Sequence, residues 1–197
     1  MVCSLQHPAP YHNFCMRLFI GVPLPAVVID ELSAISRRLR SNDDGLRWSA
    51  PESWHITLQF LGDTSLVQYE CTAARLREVQ VAPVPIALEG LGCFERAGLL
   101  FASVKITPEL LLLQERVAAA TQICGFVPGV RPFQPHITLA RSKGNGQRQG
   151  LLRLKGSIPR EPNFTRFTAY EFLLYESFLD SAGARHEVRG CFPLGGR

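Results

Sequence analysis

The chain has 197 residues, 46% hydrophobic and 19% charged, the make-up of a globular protein with a real core. Its formal net charge of +4 suits an anionic partner, but the basic residues are dispersed, so charge alone does not identify one. No uncharged apolar run reaches the ~18 residues that a membrane-crossing helix needs, and no membrane partner is expected.

Residues 1–15, MVCSLQHPAPYHNFC, lack the basic start and long apolar stretch of a signal peptide and read as a flexible tail. A cytoplasmic location is therefore expected. Cys3, His7, His12 and Cys15 could be drawn as zinc ligands, but their spacing is irregular and no metal site is expected. The six cysteines form no CxxC pair; in a cytoplasmic chain they are expected to be reduced, and buried where they fall in elements. From Met16 a single bilobal domain is expected over 16–197.

That domain begins with the strand RLFIGV. The stretch AVVIDELSAISRRLR follows, with Val28, Leu32, Ile35 and Leu39 spaced as one buried helix face requires. Arg37, Arg38 and Arg40 cluster at its end, where cations complement the helix dipole. LRWSA is strand-like and leads to HITL at 55–58; residues 66–80 read as a helix. PIALEGLGCFE and GLLFASVKI are strands joined at Arg96-Ala97-Gly98, a hairpin. Pro108 suits the first turn of a helix, ELLLLQERVAAATQIC, whose Leu110, Leu113, Val117, Ala120 and Cys124 share a face. HITL returns at 136–139. KGNGQRQG (143–150) has loop composition, and FTAYEFLLYES and ARHEVRGCFPL are strands around a turn at 180–183. Hairpins with interspersed helices indicate an α+β class with mainly antiparallel sheets.

The order strand, proline, helix, loop, HITL is used twice. Leu18 lies 37 positions before His55, and Leu100 lies 36 before His136. Two such lobes would pack about a pseudo-twofold axis, with two sheets lining a central cleft and equivalent residues facing across it. On a strand, alternate side chains share a face. Ile56, Leu58, Ile137 and Leu139 would point to the core, and Trp54 with them. His55, Thr57 and Gln59 would point the other way, as would His136 and Thr138.

Two imidazoles and two hydroxyls facing each other can bind a phosphoryl group and move protons on both sides of it, with no metal or other cofactor. Histidine titrates near neutrality, so one ring can accept a proton from water while the other supplies one to a departing oxygen. Threonine hydroxyls can donate to phosphate oxygens as charge builds on them. The same residues also admit a phosphate-binding module without turnover, or a mere pair of packing strands, although packing accounts for Ile and Leu better than for His and Thr. His186 is a lone strand histidine, read as surface or satisfied core.

The sequence resembles the 2H phosphoesterases, and within them the RNA 2′,3′-cyclic phosphodiesterases, also called 2′-5′ RNA ligases. The resemblance runs from Met16 to about Leu194 and rests on MRLFIGVPLP, HITLQFLG, GLGCF, RPFQPHITLAR and LYESFLDSAGARHEV. It implies a bilobal fold with both HxTx strands at the cleft, and hydrolysis of an RNA or nucleoside 2′,3′-cyclic phosphate to a 2′-phosphomonoester. Carried over, His55 is the general acid and His136 the base, while Thr57 and Thr138 hold the phosphate. Arg141, five positions after His136, matches a family arginine and implies a phosphate contact. By strict alternation it faces away from His136, so that contact requires a bulge or twist after Ala140. Gln59 stands where many relatives place arginine, implying one positive charge fewer in the cleft. Phe133 is a candidate for stacking on a nucleobase. The expected partner is an RNA with a cyclic phosphate end or a small cyclic nucleotide, met by a monomer.

Overall fold

The computed structural model describes residues 15–41, 45–127, 129, 132–143, 148–158, 162–179 and 184–195. The expected tail, apart from Cys15, and the turn at 180–183 lie outside them. In chain order the elements are β1 (Met16–Pro23), α1 (Ala26–Leu39), β2 (Leu46–Trp48), β3 (His55–Thr64), α2 (Leu66–Leu76), β4 (Val84–Ile86), β5 (Leu88–Phe94), β6 (Leu99–Val104), α3 (Pro108–Gln122), β7 (His136–Ser142), α4 (Arg148–Lys155), β8 (Phe167–Ala169), β9 (Glu171–Leu179) and β10 (Ala184–Pro193). The α+β expectation holds; in the stretch 143–150, read as loop, residues 144–147 lie outside the described ones and Arg148 onward is the start of α4, and the helix expected over 66–80 ends at Leu76.

The helices form where pattern and caps agree. In α1, Val28, Leu32, Ile35 and Leu39 are the buried residues, the face that the 4-3-4 spacing predicts. Each such aliphatic side chain contributes about 1.5–3 kcal/mol when fully withdrawn from water. Helix α3 starts at Pro108, with the Thr107 side chain accepting from the Leu110 amide at 3.2 Å. Helix α2 starts with a capping box in which the Ser65 hydroxyl accepts from the Gln68 amide and the Gln68 side chain accepts from the Ser65 amide. Caps of this kind are typically worth ~1 kcal/mol each.

The strands form two four-stranded sheets, ordered β10-β9-β1-β3 and β2-β7-β6-β5, and a short ladder of β4 with β8. The paired strands are antiparallel. The hairpin expected at 96–98 joins β5 to β6, with Gly98 in the left-handed conformation (φ 64°) that closes it. Each of the long strands expected at 85–95 and 167–177 is broken in two, at Ala87 and at Tyr170.

Element order makes the internal duplication explicit. The series β1, α1, β3, α2, β4, β5 is matched by β6, α3, β7, α4, β8, β9. The sheets, however, are not the two halves of the sequence. Strand β5 closes the first series but pairs with β6, the first strand of the second; β9 closes the second series and pairs with β1. Strand β2 also crosses over, pairing with β7. The lobes are therefore laced together, and one continuous hydrophobic core spans both.

The cysteines depart from expectation. Cys71 in α2 and Cys124, just past α3, form a disulfide with Cα atoms 5.8 Å apart, 53 positions apart in sequence. Cys15 and Cys191 are exposed and Cys93 is only partly buried. The pairing depends on α2 and α3 lying side by side, and no local spacing announces it.

Candidate functional site

Both HITL segments open strands, β3 and β7, and they share more than four residues. Over six positions each strand runs half-buried, buried, half-buried, buried, buried, exposed. The first four positions are the expected alternation: His55, Thr57, His136 and Thr138 are half-buried, whereas Ile56, Leu58, Ile137 and Leu139 are in the core. The two consecutive buried positions mark a bulge. In β3 the register with β1 jumps from Thr57 to Gln59, leaving Leu58 unopposed; in β7 the register with β6 jumps from Thr138 to Ala140, leaving Leu139 unopposed.

This bulge corrects one sequence reading and supplies the turn that another requires. Gln59 does not join His55 and Thr57. It is 9% exposed on the core side, and its Oε1 accepts from the Thr121 hydroxyl of α3 at 2.8 Å. A residue at that position is thus no source of cleft charge in this chain. The next residue is turned outward instead, and it is Phe60 in β3 and Arg141 in β7. The turn that Arg141 needs is present, one residue earlier than the position after Ala140. Arg141 is exposed and near enough to His55 to oppose its protonation.

The imidazoles are held alike. Nδ1 of His55 lies 2.8 Å from the Ser53 carbonyl, and Nδ1 of His136 lies 2.8 Å from the Gln134 carbonyl. A carbonyl only accepts, so Nδ1 carries the hydrogen in both rings, and each Nε2 is left to accept a proton or, once protonated, to donate one. Strands β3 and β7 touch, and His136 is also near enough to weaken the proton affinity of His55.

The surroundings of the two rings differ. His55 packs against Phe19 of β1 (centroids 4.5 Å apart), Tyr175 of β9 (5.6 Å) and His186 of β10 (5.2 Å). Burial, reinforced by His186, His136 and Arg141, overcomes the Ser53 hydrogen bond and pulls the pKa of His55 down to about 4. Burial pushes the Tyr175 phenol up to about 12, which keeps it a neutral donor. His136 has only Phe94 (5.4 Å) and Phe101 (5.5 Å) as ring neighbours among the described residues.

His186 is therefore neither surface nor satisfied core. Its ring stands edge-on to His55 and to Phe19, and its Nδ1 is buried without a hydrogen-bond partner among the described residues. Sequence reasoning missed it because β10 has no counterpart in the duplicated series. Phe133 is partly buried and packed on the core. The grooves beside the β4–β8 ladder, one bearing Lys105 and Arg166 and the other Tyr170 and Glu171, contain neither HITL histidine.

Comparison with known proteins agrees with this duplicated layout. The family model described as LigT like Phosphoesterase matches twice, over residues 22–101 and 100–185. An RNA 2′,3′-cyclic phosphodiesterase of Archaeoglobus fulgidus is 30% identical over 172 residues, covering 85% of this chain and 94% of that protein. One of Geobacillus stearothermophilus is 33% identical over 181 residues, covering 89% of this chain but 56% of the relative. The crystal structure of E. coli LigT complexed with 3′-AMP has the same fold, with a TM-score of 0.77 at 22% identity over 92% of this chain and 99% of the other.

Proposed function

The chain belongs to the LigT-like phosphoesterases, and we propose that it acts as its relatives are named, as an RNA 2′,3′-cyclic phosphodiesterase. His136 is the base: its Nε2 takes a proton from water as the water oxygen bonds to phosphorus. His55 is the acid: its Nε2 hands a proton to the 3′ oxygen as the P–O3′ bond breaks, leaving a 2′-phosphomonoester. The Thr57 and Thr138 hydroxyls and the Arg141 guanidinium hold the non-bridging oxygens and stabilise the charge that develops on them. Running the same pair with a 5′ hydroxyl in place of water joins two strands through a 2′-5′ bond. Both motifs come from one chain, so a monomer suffices. Core packing already takes up part of the Phe133 ring, so any base stacking there falls on what stays outside.

One observation carries this reading. The two imidazoles are anchored identically through Nδ1, on strands that touch, with both Nε2 atoms left for proton transfer. The low pKa of His55 is that of the protein alone. A phosphate anion beside the ring favours the charged form, so the substrate itself restores the proton that the acid must supply.

No helix among the described residues is long and apolar enough to cross a membrane. A cytoplasmic setting suits an RNA substrate, and there the Cys71–Cys124 bond would meet reducing thiols. The deciding experiment is product analysis on a short RNA with a 2′,3′-cyclic end. The expected product carries phosphate on the 2′ position alone, formed equally with and without chelator. Release of a 3′-phosphate would reverse the leaving oxygen, and tight binding without turnover would make the site a binding module only.

A further inference from the structure

We infer that Arg47, beside Arg141, forms a second phosphate subsite, so that the preferred substrate is an RNA with at least one phosphodiester upstream of its cyclic end rather than a lone cyclic nucleotide. This rests on the reading of His55 and His136 given above.

The argument starts from register. In the β2–β7 ladder Leu46 opposes Ser142, Arg47 opposes Arg141 and Trp48 opposes Ala140. Directly opposed residues of an antiparallel pair send their side chains to the same face, with Cβ atoms ~4.5–5.5 Å apart. Leu46 is buried in the core and Arg47, its neighbour on the strand, is exposed, so Arg47 shares the outward face of Arg141. Two guanidinium groups placed this way repel each other. Among the described residues, no carboxylate forms an ion pair with either one.

The reacting cyclic phosphate carries one negative charge, and Arg141 with the two threonine hydroxyls answers it. A second arginine beside the first is an uncompensated cost unless a second anion is present. An RNA strand supplies that anion one nucleotide upstream, and two long side chains rooted ~5 Å apart can each fork onto one phosphate. Such a contact places the strand without reading its bases, so the preference is for length and not for sequence.

The test compares 2′,3′-cyclic AMP with ApA ending in a 2′,3′-cyclic phosphate, for the wild type, Arg47→Gln and His136→Ala. The wild type is expected to favour the dinucleotide at least tenfold in kcat/KM. Arg47→Gln should lose at least tenfold more on the dinucleotide than on the mononucleotide, chiefly through KM, with unchanged or slightly raised Tm as the repulsion is removed. Binding of ApA 2′-phosphate should weaken correspondingly, and its salt dependence should flatten by ~0.7 in log–log slope, because one phosphate is no longer neutralised. An equal loss on both substrates, or none on either, overturns the subsite. An active His136→Ala enzyme would instead sink the histidine pair itself, so the two failures are told apart.

Discussion

His55 and His136 begin identical tetrapeptides, are anchored by the same 2.8 Å contact to the carbonyl two residues upstream, and precede the same bulge. They nevertheless have different ring neighbours. His55 is enclosed by Phe19, Tyr175 and His186, the last from a strand that has no equivalent in the other sheet, and its pKa falls to about 4. His136 has phenylalanines alone as ring neighbours among the described residues. Duplication thus supplies two like groups; burial of His55, with His186 of the unduplicated β10 adding to it, sets that ring apart. In the free protein this setting holds His55 neutral, so its proposed role as acid depends on a bound anion to charge the ring.

The largest expected effect tests whether the two rings are equally necessary. His55→Ala and His136→Ala should each lower kcat/KM on 2′,3′-cyclic AMP by about 10³-fold or more, with the fold intact by circular dichroism. The double variant should be hardly worse than either single one, because the pair works as a unit. A variant retaining a tenth of wild-type activity would remove its ring from the mechanism.

Stability against pH tests the setting of His55 without any substrate. The unfolded chain binds a proton at His55 near the ordinary value of 6.5, and the folded chain only near 4. Between those values the unfolded state holds more protons, so stability should fall as pH drops from above 6.5 toward 4, by at most about 3 kcal/mol from this group. Urea unfolding at pH 7 and pH 4.5 should show that loss, and His55→Phe should lessen it. An identical pH slope in His55→Phe would contradict the enclosure of this ring.

Thr57→Val and Thr138→Val probe the symmetric part of the site. Each should reduce kcat by roughly 10- to 100-fold as one phosphate donor is removed, and by similar factors. A large effect from only one of them would show that the phosphate sits off the pseudo-twofold axis.

The finest probe is His186→Gln. The neighbouring His186 lowers the proton affinity of His55, so removing its charge should raise the His55 pKa, read by NMR titration of the ring nitrogens. Bound 2′-AMP should raise it further by placing an anion against the ring. A His55 that stays neutral at pH 6 with 2′-AMP bound would exchange the acid and base roles of the two histidines.

Periodicity made the helices legible. Val28, Leu32, Ile35 and Leu39, and likewise Leu110, Leu113, Val117 and Ala120, are buried as their spacing requires, because a helix must hide one face wherever it packs. The repeated HITL was legible for the same reason, since alternation at the start of a strand follows from the backbone alone. Gln59 was misjudged because a bulge is decided by the partner strand, and that partner, at Ile20 and Gly21, lies far upstream in the chain. The Cys71–Cys124 bond and the place of His186 escaped for a related reason: each depends on which elements become neighbours.

By itself, then, the sequence determined the elements, the duplication and the residue types able to move protons around a phosphate, since these follow from local periodicity and side-chain chemistry. Only the tertiary structure decided that the halves exchange strands, that the bulge turns Arg141 outward and Gln59 inward, and that His55 is the enclosed ring of the pair. Those outcomes depend on contacts between residues far apart in the chain, and burial and electrostatics are set by what packs around a group, not by what precedes it.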